Sequence, residues 1–301
     1  KINGVVFNES LKPINFHHFC IINFVYSIAH IEKFKKINFI KSSEIENMSQ
    51  EDISSFLDKF DIIVQYANSI QNIQGYLSNN KSKFIFFEQP IVFRRVNKPL
   101  VSQKYLRVMT GAPLEKNFIK KYKSNHIRKN FSLPKIIKIN NYADSILLII
   151  QMVNDSAVRP IDPYEWAYDI VCKIRKINNT KILIRDHPLQ KNVNQLKIGK
   201  ILQNKNVYLS NNINIEDDFY NTKCCITLSS GSAIESLFSS IPTISTDQRS
   251  FVYEITKHEV DKIDEIKIPN LEDLNSALSY THYTLSEIID GTCWKNVKKF
   301  L

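Results

Sequence analysis

The 301-residue sequence contains six glycines, and none of them falls in a G-x-G-x-x-G or G-x-x-x-x-G-K-[ST] pattern. Those patterns use glycine to let backbone amides approach phosphate closely, so a standard dinucleotide site and a P-loop are both excluded. No apolar run reaches the roughly 18–20 residues of a membrane-spanning helix. The five cysteines, Cys20, Cys172, Cys224, Cys225 and Cys293, show no C-x-x-C spacing. An odd count without that spacing fits a reducing compartment better than a disulfide framework, and a cytoplasmic location is expected. Cys224-Cys225 lies inside an apolar run and reads as two buried thiols rather than metal ligands. No secretory signal is read at Lys1. There is no D-x-D pair placed to hold a divalent ion. Asp217-Asp218 reads instead as the acidic start of a helix. Neither a metal nor a bound cofactor is expected.

What is abundant is lysine. The formal charge is +10 with a sequence pI near 9.2. Tracts at residues 33–36, 116–129 and 295–299 are candidate basic patches. Such a surface attracts anions: nucleic acid, acidic lipid or an anionic substrate. No nucleic-acid-binding motif is present, so nucleic acid is not expected as a partner. A hydrophobic content of 43% with 11% aromatics supports a packed core rather than disorder.

Strand-like and helix-like segments alternate through the first half. Residues 5–7, 37–40, 62–66, 84–87 and 106–109 read as short buried strands, with helices at 19–34, 50–60 and 69–77. Gly111-Ala112-Pro113 breaks the pattern. A basic stretch to Lys129 and the polar segment Asn140-Asn141-Tyr142-Ala143-Asp144 mark a passage between domains. Alternation restarts at Ser145. Strands are expected at 146–151, 181–185, 206–209, 223–228 and 242–245, and helices at about 193–202, 233–239, 271–278 and 286–301. Asp162-Pro163-Tyr164-Glu165 opens a further helix, with Asp162 as N-cap, Pro163 in the first position and Glu165 in a capping-box place. This is an α/β pattern of helix-covered parallel sheets. It divides into residues 1–140 and 141–301, two Rossmann-like domains facing across a cleft, with the closing helices packing back.

Three polar clusters in the second half follow predicted strands, and ligands of open α/β sheets bind at the carboxyl ends of strands. Gln151-Met152-Val153-Asn154-Asp155 follows the first, with Ser156 and Arg159 close behind. Asp155 is a carboxylate suited to act as nucleophile or base, or as a loop cap. Arg159 can bind an anion or pair with Asp162. His187-Pro188 follows the second, and its imidazole can donate to a phosphate or carboxylate, or simply pack. Thr227-Leu228-Ser229-Ser230-Gly231-Ser232 follows the third and opens a helix carrying Glu235. Free amides and hydroxyls there suit phosphate, and Glu235 suits ribose hydroxyls. In the first half, Glu88 ends the 84–87 strand, followed by Arg94 and Arg95. A Glu facing an Asp across a cleft would let one group attack while the other manages a proton.

Together these motifs resemble the bacterial retaining β-Kdo glycosyltransferases of capsule and O-antigen (lipopolysaccharide) assembly, which use CMP-Kdo. The likeness covers roughly residues 84–95 and 146–256. It implies a GT-B-like fold and transfer of Kdo from CMP-β-Kdo to a glycan acceptor with retention. Asp155 would be the nucleophile that forms a covalent glycosyl-enzyme, and Glu88 the acid/base. Gln151, Asn154, Arg159, His187, Pro188, Ser229, Ser230, Gly231, Ser232 and Glu235 would bind the donor, without metal. The family's Glu-Asp-Gly reads Glu88-Gln89-Pro90 here, a departure in the first half. The acceptor would be a glycan, lipid-linked in the fullest form of the expectation, with the basic surface meeting anionic lipid at the inner membrane. Bacterial sialyltransferases share the His-Pro and Ser-Ser/Thr vocabulary but invert, using CMP-sialic acid. A sugar-nucleotide epimerase of similar fold and a non-catalytic glycan- or nucleotide-binding module are the further alternatives.

Overall fold

The structure, a computed structural model, describes residues 3–8, 16–33, 36–66, 73–92, 103–112, 116–132, 143–155, 157–190 and 194–301. Arg94, Arg95, Ser156, Val193 and residues 140–142 lie outside the described residues. Two compact units are present. One comprises Lys1–Glu115, Lys120–Ser132 and Asp273–Leu301, the other Lys116–Ile119 and Leu133–Glu272. The closing segment that the sequence pattern attaches to the second half thus belongs with the first unit.

In the first unit, β1 (Asn3–Asn8), α1 (Phe16–Glu32), β2 (Lys36–Lys41), α2 (Ser42–Glu46), α3 (Gln50–Leu57), β3 (Ile62–Tyr66), α4 (Gln74–Asn79), β4 (Phe84–Glu88) and β5 (Leu106–Thr110) follow in order. Of the described strands, β2, β1, β3 and β4 run parallel, and β5 is antiparallel to β4. The buried run 106–109 is therefore a strand, as its composition indicates, but not a parallel one. A strand buried along its whole length, as β5 is, carries no direction in its burial pattern.

Both faces of this sheet are covered. Phe24, Val25 and Ile28 of α1 pack with Val64, Ile85, Phe87 and Val108 on one face. Ile53, Leu57, Tyr76 and Leu77 pack with Ile63, Phe84 and Phe86 on the other.

The second unit's sheet holds β6 (Ser145–Ile149), β7 (Lys181–Arg185), β8 (Val207–Leu209), β9 (Thr222–Thr227) and β10 (Thr243–Ser245), in the spatial order β10-β9-β6-β7-β8 and all parallel. Between the units' sheets in sequence comes α5 (Phe118–Tyr122). The second unit's helices are α6 (Pro163–Ile177), α7 (Gln195–Leu202), α8 (Ile215–Phe219) and α9 (Ser232–Phe238). Ile146, Leu148 and Ile150 bury against Ala167, Val171 and Ile174 of α6, while Leu147 and Ile149 bury against Phe219 and Ile241. Burial on both faces explains the unbroken apolar run of β6. Asp162 caps α6 by accepting from the Tyr164 and Glu165 amides, with Pro163 in the first turn. Its other carboxylate oxygen is held by Lys197, not by Arg159, and Glu165 pairs with Lys200 at 3.4 Å.

The chain then returns to the first unit through α10 (Glu272–Ser279), β11 (His282–Tyr283), α11 (Leu285–Ile289) and α12 (Thr292–Val297). β11 pairs antiparallel with β5. The expected single helix over 286–301 is broken at Gly291, which has φ of +79°. A Cβ there would lie 2.6 Å from the Ile31 Cδ1 of α1, so both the left-handed backbone and the close approach of the helices require glycine. Ile288, Cys293, Trp294 and Val297 complete the α1 face of the core. Among the described residues no helix is long and apolar enough to cross a membrane.

Candidate functional site

In the second unit β7 lies on one side of β6 and β9 on the other, so the chain reverses its direction of travel at β6. Such a switch point opens a crevice at the carboxyl ends of the two central strands. Ile149 is in register with both Arg185 and Thr227. The segments that leave these three strands therefore start side by side: Gln151 to Asp155, His187-Pro188, and Ser229 to Ser232.

The first and third of these are joined directly. Gln151, almost fully buried, accepts the Ser229 backbone N–H through Oε1 at 2.7 Å. The Ser229 hydroxyl donates to the Ala157 carbonyl at 3.1 Å. Both residues are thus engaged in fixing the turn that carries Asp155. That turn begins at Asn154, whose φ of +66° is tolerated by asparagine better than by other side chains. Asp155 is half-buried. Its Oδ1 accepts the Ala157 N–H at 2.9 Å, and its carbonyl accepts from Val158 and Arg159. Arg159 is exposed.

His187 is half-buried at the end of β7. Its Nδ1 accepts the Leu189 N–H at 3.2 Å, which leaves the proton on Nε2. Pro188 opens a single 3₁₀ turn, Pro188–Gln190, closed by the Gln190 amide on the His187 carbonyl. Behind it, Asp186 Oδ1 accepts from the Tyr164 hydroxyl at 2.8 Å and from the His187 amide at 2.8 Å. Burial pushes the Asp186 carboxyl above its ordinary range despite those hydrogen bonds. Arg185 turns the other way: it binds the carbonyls of Asn212 and Ile213 and the buried Asp218 carboxylate, a scaffold role. Asp218 sits in the first turn of α8, where the sequence places an acidic helix start.

Ser230 and Gly231 ahead of α9, and Ser232 as its first residue, are half-buried, and the Ser232 amide donates to the Ser230 hydroxyl at 3.2 Å. Glu235 lies half-buried in the first turn of α9. Cys224 and Cys225 are buried free thiols of β9. Burial pushes Cys225 up to about 12. Among the described residues, no group of three His, Cys, Asp or Glu side chains is placed to hold a metal ion.

A pair absent from the sequence reading completes this edge. Asp247 follows β10 and its amide bonds the Leu228 carbonyl at 3.0 Å. Arg249 grips the Asp247 carboxylate with Nε and Nη2, and its Nη1 donates to the Arg159 carbonyl at 2.5 Å. Burial raises the Asp247 carboxyl, but the hydrogen bonds and charge of Arg249 outweigh it and hold the group below the usual range. The rule that located the other three clusters, polar residues at a strand end, applies equally to Asp247-Gln248-Arg249 after the 242–245 run.

In the first unit Glu88 is the last residue of β4 and forms an ion pair with Arg107 of β5. Arg107 is buried, and burial pulls its guanidinium down to about 10.

The sheets and their strand-end clusters define an α/β protein of two compact units, the first with a mixed sheet and the second with a parallel one whose polar edge is built around a switch point. No protein-family model matches the sequence, and no curated protein matches it. Among solved structures the chain is similar to the Thermosulfurimonas dismutans KpsC β-Kdo 2,7 transferase, with 12% identity and a TM-score of 0.53 over 97% of this chain and 99% of that one. It also aligns with the Thermosulfurimonas dismutans KpsC β-Kdo 2,4 transferase, at 12% identity and a TM-score of 0.45 over 94% and 97% of the two chains. A Methanocaldococcus jannaschii UDP-GlcNAc 2-epimerase aligns at 14% identity and a TM-score of 0.35 over 90% and 97%. The first of these likenesses establishes a shared fold.

Proposed function

We propose that the chain is a GT-B-type glycosyltransferase that moves Kdo from CMP-β-Kdo to a glycan acceptor with retention. The observation that carries this reading is the Gln151–Ser229 hydrogen bond, which ties the Asp155 turn to the Ser-Ser-Gly-Ser turn across the switch point. The fold shared with a β-Kdo transferase supports the choice of sugar. Asp155 attacks the anomeric carbon, the bond to the CMP phosphate breaks, and the phosphate leaves with the electron pair. His187, through its Nε2 proton, and the amides and hydroxyls of Ser230 to Ser232 stabilise the charge that develops on that phosphate. Arg159 meets the sugar carboxylate and Glu235 the ribose. Glu88 handles the acceptor proton. No metal is required of this scheme, because the leaving phosphate is met by hydrogen-bond donors.

The test is CMP release from CMP-Kdo by the wild type and by Asp155→Ala, followed by intact-mass spectrometry. An adduct of Kdo mass in the wild type that is absent from the variant supports double displacement. Release from CMP-sialic acid but not from CMP-Kdo transfers the reading to an inverting sialyltransferase. Release from neither, or full activity in Asp155→Ala, rejects it. The lysine-rich surface meets an anionic, lipid-linked acceptor in this scheme. High salt should then release the protein from anionic vesicles, and salt-insensitive or absent binding removes the membrane from the proposal.

A further inference from the structure

Glu88, Arg107 and His282 lie in register on three adjacent antiparallel strands. Glu88 of β4 is opposite Arg107 of β5, and Arg107 is opposite His282 of β11. Residues opposite one another project from the same face of a sheet, so the three form a single row. The next strand extends the polar zone. Gln65 of β3 is in register with Phe86, two residues before Glu88, and therefore shares its face. Gln65 is fully buried with neither side-chain amide atom hydrogen-bonded.

A core built only for stability would not be made this way. A buried ion pair costs desolvation that its attraction barely repays, and an unpaired buried amide is a net cost. Elsewhere on this face lie the buried Ile63, Phe84 and Phe86, with Met109 opposite Phe86. Polar groups kept at a strand end against that cost are characteristic of a site.

The row's members differ in what they can do. His282 is fully buried. Its Nδ1 faces the Leu278 carbonyl at 3.0 Å and its Nε2 accepts the Ile91 N–H at 3.0 Å. Burial, with the charges of Arg107 and Arg128, pushes its pKa down to about 3, so the ring is neutral and pins the segment that follows Glu88. Arg128 is engaged with Glu287 and with the carbonyls of Ser279 and His282. Tyr66 of β3 and Tyr122 of α5 bear on Arg107 and oppose the downward effect of its burial. Among the described residues, the cation that faces Glu88 is Arg107. The side chains are 9% exposed for Arg107 and 20% for Glu88, so Glu88 is the more accessible member of the pair, while its Oε2, which meets Arg107, is buried.

We propose that Arg107 is the positioning residue of a proton-accepting site at the end of β4, holding Glu88 ionised while His282 fixes the segment after it through Ile91. This rests on the reading of Glu88 given above and narrows it: Glu88 acts as a base. As the acceptor oxygen bonds to the anomeric carbon, the bond to Asp155 breaks and its electron pair returns to that carboxylate. The hydroxyl proton passes to Glu88 and from there to solvent.

The experiment is the pH dependence of transfer for the wild type, Arg107→Met and Arg107→Lys, each checked for folding by circular dichroism. Arg107→Met should lower kcat at least about tenfold while donor KM stays within about twofold, since one proton-transfer group is disturbed. Its acid limb should move up by about one pH unit or more, as expected when a neighbouring cation is removed, and Arg107→Lys should recover part of both changes. An acid limb that does not move overturns the proposal. Should Arg107→Met fail to fold, carbon NMR of labelled glutamate in the wild type decides, with Glu88→Gln giving the assignment. A Glu88 carboxyl that stays ionised down to about pH 4 supports the pair, and one that titrates above that overturns it. CMP release and adduct formation need Asp155 but not Glu88. Their absence in the wild type would reject the transferase reading, while the NMR titration would still decide the role of Arg107.

Discussion

Gln151 and Ser229 are joined by a hydrogen bond of 2.7 Å that lies beyond the last paired residues of β6 and β9. The bond closes the crevice between the two strands with a side chain in place of backbone. It also routes through the Ser229 hydroxyl to Ala157, two residues past Asp155. Strand ladder, Gln151, Ser229 and the Asp155 turn therefore form one continuous hydrogen-bonded unit.

Gln151→Leu should expose the importance of this link. The Ser229 amide is left buried without an acceptor, which costs about 1–3 kcal/mol. Urea denaturation should show a lower midpoint with unchanged slope. Transfer activity should fall further than the stability loss explains, because Asp155 loses its tether. A variant with full activity would mean that the turn holds its shape without Gln151.

Arg249→Met should loosen the same turn from its far side. Arg249 is bonded to the Asp247 carboxylate and to the Arg159 carbonyl. The amides of Val158 and Arg159, which bond the Asp155 carbonyl, should exchange with deuterium faster in the variant. Amides in the body of β6 should not change. Uniform acceleration across the second unit would instead indicate a general loss of stability.

Acid should weaken the protein through His282. The unfolded chain takes up a proton at the ordinary histidine pKa of about 6.5, whereas the folded ring stays neutral to about 3. Between those values the unfolded state holds more protons, so stability falls as pH falls, by up to about 1.4 kcal/mol per pH unit. His282→Gln removes that contribution. Its stability should decline less steeply than the wild type's between pH 6.5 and 3, as followed by denaturant titration at several pH values. Parallel slopes would show that other groups carry the acid response.

Thiol labelling of the native protein should be selective. Cys20, Cys224, Cys225 and Cys293 are buried, and burial raises all four thiols, Cys20 to about 12. Cys172 is partly exposed on α6. A small disulfide reagent should titrate Cys172 readily and the others only on unfolding. Rapid modification of Cys225 would mean that β9 opens in the native state.

The strands of the second unit were legible because apolar runs such as Ser145–Ile149 are buried on both faces, and the strand-end motifs followed from them. The N-cap at Asp162 was legible because its chemistry is local. β11 was not, since two residues, His282 and Tyr283, carry no periodicity and their partner strand is remote in sequence. The antiparallel sense of β5 and the Arg107–Glu88 pair depend on a different pairing, that of β5 with β4, whose direction the burial pattern of β5 does not mark. Ser229 reads as a donor-facing residue by its motif, yet its amide and hydroxyl are turned to Gln151 and Ala157. That assignment depends on which neighbouring strand lies alongside, and local sequence does not encode it.

The return of Asp273–Leu301 to the first unit has a consequence for synthesis. Ile288, Trp294 and Val297 cover Phe24 and Val108, and β11 pairs with the outer edge of β5. A chain emerging from the ribosome makes the first unit's parallel strands early but lacks part of their cover on the α1 face until α11 and α12 appear. The second unit, contiguous from Leu133 to Glu272 apart from four residues, can close sooner. Of the two units, the one whose strands are translated earlier is therefore completed later. Until then its apolar face and the open edge of β5 are the segments that a chaperone would need to shield.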